Sequence, residues 1–204
     1  MIMETGIMPK LKRATAKIIR RVICMKNNHL KDMVYAAVFT AVMAILGWIS
    51  ITLPLLPAPI TGQTFGVMLA GVILSKRQAA LSMLTFILLG AIGVPVFSNG
   101  GGGLAYLAGP TGGFILGFLG GALIISAIRG DGKSILRSSL SCIIGGILFV
   151  YIIGIPWLSF ERTGHFFSLP IIISNLFFIP GDLIKAWVAG VVGVKVRNHL
   201  RHLS

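Results

Sequence analysis

Long apolar runs, separated by short polar or glycine-rich segments, dominate the pattern of this chain. A helix needs about 20 mainly apolar residues to cross the hydrocarbon core of a bilayer. Six runs approach or reach that length, and each predicts a membrane-spanning helix: Met33–Leu53, Ile60–Leu74, Ala79–Phe97, Thr111–Ile128, Ile135–Ile155 and Leu169–Val194. The pattern therefore predicts an all-α membrane protein, a bundle of six transmembrane helices.

Composition supports a chain that is solvated by lipid. Of the 204 residues, 55% are hydrophobic and only 11% are charged, whereas soluble domains have about 25% charged residues. So apolar a chain cannot cover itself with a polar surface in water. We therefore expect the lipid bilayer to be its partner along most of its length.

The net charge of +13 raises the question of nucleic-acid binding, but the positions of the charges argue against it. Eight of the 18 Lys and Arg residues precede residue 32, and 16 of the 18 fall on one side of the predicted bundle. Cytoplasmic loops of membrane proteins collect Lys and Arg. The distribution predicts that both termini are cytoplasmic and that nucleic acid is not a partner.

The same pattern predicts three parts of the chain. Residues 1–31 form a basic cytoplasmic segment, residues 32–196 a transmembrane substrate-binding domain, and residues 197–204 a basic cytoplasmic tail. Basic and apolar residues of the first segment interleave at near-helical spacing. Such a segment is either an amphipathic helix on anionic lipid or a loosely ordered tail that fixes orientation.

Asp182 and Lys185 lie inside the last apolar run. Each charge costs about 2.5–3.5 kcal/mol at the centre of a spanning helix, and residues three apart share a helical face. The pair is therefore either a mutual ion pair in the bundle interior or part of a polar ligand pocket. Pro180 and Gly181 precede it and predict a local break in the helix.

An uncharged loop, residues 98–113, joins the third and fourth predicted helices and contains a run of four glycines. Glycine lets the backbone approach a ligand closely, so the glycines of this run, Gly101 among them, are candidate ligand contacts; the alternative is a flexible surface loop. Gln63 is the amide of the second run. It is equally suited to a ligand and to a neighbouring helix.

Catalytic, metal and nucleotide sites are not predicted. The two cysteines and four histidines lack metal-ligand spacing. The segment Ala127–Ser134 nearly matches a phosphate-binding loop, with Ala in place of the first Gly. That chemistry requires a preceding strand and a following helix in a soluble α/β domain, whereas this segment joins two predicted membrane helices. No cofactor is expected.

Small residues recur at four-residue spacing in two predicted helices. One stripe contains Ala37 and Ala41, and the other contains Gly113, Gly117 and Gly121. Small side chains allow helices to approach closely in lipid. Internal packing is the default interpretation of each stripe, and contact with a partner protein is the alternative.

Three segments together resemble one known family, the BioY family of biotin-specific substrate-binding subunits of energy-coupling-factor (ECF) transporters. They are Pro59–Gly71, the stretch Gly93–Phe97 with the glycine loop up to Gly113, and Gly181–Lys185. The resemblance covers about residues 30–195. It implies a six-helix bundle in a prokaryotic cell membrane that holds the vitamin near its outer face.

The resemblance also implies roles for individual residues. Asp182 and Lys185 would bind the polar groups of biotin, with Gln63 and Asn99 assisting. Ala37 and Ala41 would contact the transmembrane coupling subunit of the transporter. Two separate cytoplasmic ATPase subunits would supply the energy, so this chain would capture biotin without catalysis.

Two other functions compete with biotin capture. An ion-coupled or facilitative transporter of another small solute would use Asp182 as a proton relay, and an inverted repeat, which the sequence does not show convincingly, would favour it. An intramembrane enzyme would require clustered carboxylates, a metal motif or a nucleophile with its base. Only Asp182 and Lys185 lie at predicted membrane depth.

Overall fold

A computed structural model of the chain describes residues 29–52 and 58–203. Internal contacts divide the chain into two units, Met1–Val34 and Tyr35–Ser204. Of the first unit, only residues 29–34 are described, and they begin a helix. The predicted amphipathic helix therefore falls almost entirely outside the described residues.

The described part of the chain is mostly helical. The helices are α1 (His29–Trp48), α2 (Gln63–Ile73), α3 (Lys76–Ala91), α4 (Leu104–Ala108), α5 (Gly112–Ile128), α6 (Ile135–Cys142), α7 (Val150–Thr163), α8 (Leu169–Leu176) and α9 (Ile179–Leu203). A π-helical segment, Ile143–Phe149, joins α6 to α7, and a 3-10 turn covers Ser98–Gly100. Two short antiparallel strands, β1 (Ser50–Ile51) and β2 (Ile60–Thr61), form a hairpin between α1 and α2.

Each predicted apolar run contains a helix, but only some helices reach spanning length. Within the described residues, His29–Trp48 and Ile135–Thr163 are long and apolar enough to cross a membrane. The pair α8 and α9, bent by 45° at a short break, forms a third candidate, whereas α2 and α5 are apolar but shorter.

Several predicted helix ends were wrong, because strands and turns decide where the helices begin and end. The first run was expected to be helical to Leu53, but α1 ends at Trp48 and β1 follows. The fifth was expected to end at Ile155, but α7 continues to Thr163.

The second run was expected to be helical from Ile60, but Ile60 pairs with β1 and α2 begins at Gln63. The third was expected to continue to Phe97, but α3 ends at Ala91. Gly93 has a φ of +101°, a conformation that glycine adopts without steric cost, and it turns the chain away from the helix.

The interruption of the last run lies slightly before its predicted place. The break falls at Phe177–Phe178, and Pro180 is already in the first turn of α9. A proline is tolerated there because the first backbone N–H groups of a helix have no intrahelical acceptor. The helix then continues to Leu203, so most of the predicted tail is helical.

The glycine stripe of α5 packs inside the protein, as its default interpretation predicted. A Cβ atom on Gly113 would lie 2.3 Å from Cβ of Trp157, and one on Gly121 would lie 2.6 Å from the carbonyl oxygen of Gly145. The stripe thus brings α5 against α7 and the π-helical segment. Ala37 and Ala41, in contrast, are exposed on the surface of this chain.

The segment Ala127–Ser134 is a turn between α5 and α6. Gly130 and Gly132 have φ values of +63° and +65°, and the element directly before the turn is the helix α5, where a phosphate-binding loop would have a strand. The Arg129 side chain is only 3% exposed and donates from Nη2 to the carbonyl oxygen of Leu74 at the end of α2. The guanidinium group therefore caps a neighbouring helix.

Candidate ligand-binding site

A cavity of about 150 Å³ lies among the hairpin, α2, α5, α7, α8 and α9. Its lining consists of Ala58, Pro59, Ile60, Thr61, Gln63, Thr64, Ser98, Thr111, Phe114, Ile115, Phe118, Tyr151, Asn175, Phe177, Phe178, Gly181, Asp182 and Lys185. Eight of these side chains are apolar and nine carry a polar group, the phenol of Tyr151 among them. Such a lining is typical of sites that bind small organic molecules.

The two ionisable residues predicted from the sequence meet in this cavity. Lys185 Nζ lies 2.9 Å from Asp182 Oδ1, and Asp182 is only 3% exposed. Because α9 restarts at Ile179, Asp182 falls in its first turn, where the positive end of the helix dipole stabilises a carboxylate. The ion pair that the sequence allowed is thus present, and it lines a cavity.

Lys185 uses all three of its ammonium hydrogens on protein acceptors. Besides Asp182, Nζ donates to the carbonyl oxygen of Thr61 over 3.0 Å and to Thr64 Oγ1 over 3.1 Å. A lysine has three donors and no acceptor, so this set is complete. Lys185 therefore ties α9 to β2 and to α2.

Tyr151 completes the surroundings of the carboxylate. Its hydroxyl group donates to Asp182 Oδ2 over 2.5 Å, and its ring packs edge-on against Phe114 with centroids 6.1 Å apart. Asp182 Oδ1 accepts from Lys185 and, over 3.3 Å, from Thr64. Since each carboxylate oxygen can accept about two hydrogen bonds, Oδ2 has one acceptor position left.

Gln63 connects α2 to the loop that follows α3. Its Nε2 donates to the carbonyl oxygen of Val96 over 3.3 Å, and its Oε1 accepts from Ser98 Oγ over 3.3 Å. Gln63 is 2% exposed and lines the cavity. It therefore holds this loop against the cavity and still has one amide hydrogen beyond the bond to Val96.

Asn99 and Gly101 lie in the glycine loop but are not among the residues that line the cavity. Asn99 Nδ2 donates to Thr52 Oγ1 over 3.3 Å, and Asn99 Oδ1 accepts from Ser50 Oγ. A Cβ atom on Gly101 would lie 2.1 Å from the Tyr106 ring. Asn99 thus holds the hairpin, and Gly101 makes room for an aromatic ring.

Six polar residues of the cavity were not predicted to contact a ligand: Thr61, Thr64, Ser98, Thr111, Tyr151 and Asn175. Thr64 lies in the segment Pro59–Gly71 that resembled the BioY family, but no feature set it apart there. Asn175 carried a signal, because an amide inside an apolar run is as unusual as the amide of Gln63. Tyr151 carried none, because its contact with Asp182 spans 31 residues of the chain.

Known proteins resemble this chain over most of its length. The sequence model of the BioY family matches residues 15–202. A biotin transporter BioY from Rhizobium etli is 41% identical over 172 residues, which cover 80% of this chain and 91% of that protein. A probable biotin transporter BioY from Bacillus subtilis is 40% identical over 174 residues, which cover 84% of this chain and 92% of that protein.

A solved structure resembles the fold as well. The crystal structure of the S-component for biotin from an ECF-type ABC transporter matches with a TM-score of 0.77 and 34% sequence identity. The match covers 84% of this chain and 93% of that one. From the family match and these relatives, the chain belongs to the BioY family.

Proposed function

We propose that this chain is the biotin-binding subunit of an ECF-type vitamin uptake transporter and not an enzyme. It captures biotin and delivers it across the membrane with energy from separate ATPase subunits. The observation that supports this proposal most directly is the Asp182–Lys185 pair, which lies in an aromatic cavity in a chain 41% identical to a biotin transporter.

The chemistry of biotin complements the cavity. Its ureido ring has two N–H donors and one carbonyl acceptor, and its sulfur-containing ring is apolar. Asp182 Oδ2 offers an acceptor position to an N–H group, and the second amide hydrogen of Gln63 offers a donor to the carbonyl group. A ligand without these groups would leave buried polar atoms unpaired, which is a strong basis for selectivity.

Lys185 takes part in binding through two effects. Its ammonium group pairs with the Asp182 carboxylate, and charge-assisted hydrogen bonds are stronger than those between neutral groups. When the ligand enters, the ammonium group exchanges Thr64 Oγ1, its most distant acceptor at 3.1 Å, for an oxygen atom of biotin. We do not extend the ligand contacts to Asn99 and Gly101, since neither lines the cavity.

We further propose that all six apolar runs cross a prokaryotic cell membrane and that both termini are cytoplasmic. Lys76 and Arg77 begin α3, and Arg129 and Lys133 lie between α5 and α6, in agreement with the preference of cytoplasmic segments for basic residues. Because α2 and α5 are shorter than the hydrocarbon core of a bilayer, the hairpin and the glycine loop cover the rest of the membrane thickness beside them. Non-helical backbone is tolerated there because it is packed in protein.

The partners we propose are the transmembrane coupling subunit and two cytoplasmic ATPases. Ala37 and Ala41 stack on one face of α1, and both are exposed on this chain. A small-residue face permits close approach of a second helix in lipid. Since these alanines are exposed, that helix comes from another chain.

Equilibrium binding to the purified protein tests the proposal. The chain in detergent, titrated with radiolabelled biotin, should show saturable binding at one site per chain. Unlabelled biotin should compete, and an unrelated vitamin of similar size should not. Absence of saturable binding by folded protein would contradict the proposal, and uptake of another solute driven by a proton gradient alone would favour an ion-coupled transporter.

A further inference from the structure

We propose that Asn175 supplies a second acceptor for the ligand, so that the site recognises a pair of ring N–H groups. This inference rests on the proposed function and extends it. Asp182 Oδ2 has one acceptor position left, as described above, and a cyclic urea has two N–H groups. The second N–H group therefore requires another acceptor in the same cavity.

Asn175 has the properties that this acceptor requires. It lies near the end of α8, is 1% exposed and lines the cavity. Its Oδ1 atom is buried and has no hydrogen-bond partner among the described residues. A buried amide oxygen without a partner is unfavourable, so a ligand that donates to it gains affinity.

The direction of the Asn175 amide follows from its other contact. Its Nδ2 donates to the carbonyl oxygen of Ile171 over 2.8 Å. A flipped amide would bring two acceptor oxygens face to face, because a carbonyl group cannot donate. Oδ1 is thus kept away from the backbone of α8.

The position of Asn175 also separates the two acceptors. Asp182 belongs to α9 and Asn175 to α8, on opposite sides of the 45° break. The two N–H groups of a cyclic urea flank its carbonyl group, so they point to different parts of the wall. Selectivity should therefore favour a ring with both N–H groups over one with a single N–H group.

Binding to paired ligands and variants tests this inference. The ligands are biotin and the two analogues in which one or the other ring N–H is replaced by CH2. For the wild-type protein, we expect each analogue to bind at least tenfold more weakly than biotin. Equal affinity for biotin and either analogue would overturn the inference without any substitution.

The variant Asn175→Leu then shows which of the two ring N–H groups donates to Asn175. We expect it to bind biotin at least tenfold more weakly than the wild type and to bind one of the two analogues as well as it binds biotin. A merely structural role of Asn175 would weaken all three ligands equally and overturn the inference, as would unchanged biotin affinity. Ser174→Ala is the matched control, because Ser174 Oγ bonds to Ile171 and does not line the cavity.

The outcomes distinguish the inference from the proposed function. If the wild-type protein does not bind biotin, the proposed function fails. If it binds biotin and Asn175→Leu behaves like the wild type, only the inference fails. Should Asn175→Leu not fold, Asn175→Ala in the same titrations takes its place, and the analogue preference of the wild-type protein remains decisive.

Discussion

Asp182 and Arg129 are two charged residues with the same exposure, 3%, in opposite surroundings. Asp182 has an ion-pair partner, two hydroxyl donors and a cavity beside it. Arg129 bonds to a single backbone carbonyl group, and its Nε and Nη1 atoms lack partners among the described residues.

The difference shows that burial of a charge does not by itself mark a binding site. Around Asp182, the polar groups of the described residues leave one acceptor position of Oδ2 unused, and Asp182 lines a cavity. Around Arg129, helix ends and the Gly130–Gly132 turn are packed together, with Gly132 so close that a Cβ atom would lie 3.2 Å from Arg129 Nη1. The first arrangement is suited to a ligand and the second to joining helices.

The largest effect is expected at the exposed face of α1, which contains neither Asp182 nor Arg129. Replacing Ala37 or Ala41 by Trp should abolish ATP-driven biotin uptake by the assembled transporter, because a bulky ring forces the partner helix away. Biotin binding to the isolated chain should stay within twofold of the wild type. Uptake, binding and co-purification are measured on the same variants.

A lipid-facing position provides the control for these variants. Ile152 is 68% exposed on α7, and Ile152→Trp should retain uptake. Joint loss of binding and uptake in the alanine variants would indicate an internal contact instead of a partner contact.

Substitution of either member of the ion pair in the cavity should weaken biotin binding. We expect Asp182→Asn and Lys185→Ala each to raise the Kd for biotin at least tenfold, which corresponds to about 1.4 kcal/mol. Each change removes one member of a charge-assisted hydrogen-bond network. Asp131→Asn, which changes an exposed carboxylate, is the control, and unchanged titrations in both site variants would refute the site assignment.

Substitution at the other buried charge should affect stability alone. Arg129→Met leaves the carbonyl group of Leu74 without its donor, which costs about 1–3 kcal/mol. The removal of two buried N–H groups that lack partners among the described residues offsets part of that cost. We expect the melting temperature in detergent to fall and the Kd for biotin to change by less than twofold. A large loss of affinity would show that the two regions are coupled.

The smallest effect is expected at Lys133 in the same turn. Lys133→Ala should leave both biotin binding and stability unchanged, because the side chain is exposed. The pure chain should neither bind nor hydrolyse ATP. An ATPase signal from this chain that disappears in the variant would restore the nucleotide-site interpretation of Ala127–Ser134.

The sequence was most informative about residues whose removal from water is costly. Asp182 and Lys185 were recognisable because charges in an apolar run are costly unless they are used or paired. The apolar runs were recognisable for the same reason. Helix ends were less accurate where a local contact decided them, as at Ile60, which pairs with Ser50–Ile51 in the hairpin.

Features that depend on three-dimensional neighbours could not be read from the chain. The sequence places Arg129 in a short polar segment between two predicted helices, but its side chain is buried and bonds to the end of α2. The family resemblance implied a ligand contact for Asn99, which stays a prediction; the structure shows its amide paired with Ser50 and Thr52 of the hairpin. Tyr151 donates to Asp182 across 31 residues of the chain, a contact that no local pattern indicates.

The hydrogen bonds of the hairpin have a consequence for the kinetics of binding. Ile60 and Thr61 line the cavity, and Lys185 holds the carbonyl group of Thr61 while Asn99 holds Thr52. A ligand that leaves past this strand must wait until these bonds are broken, and the bond to Lys185 is strengthened by its charge. A ligand that enters past this strand must break the same bonds, so weakening the hairpin should raise the association and dissociation rates together and change the Kd little.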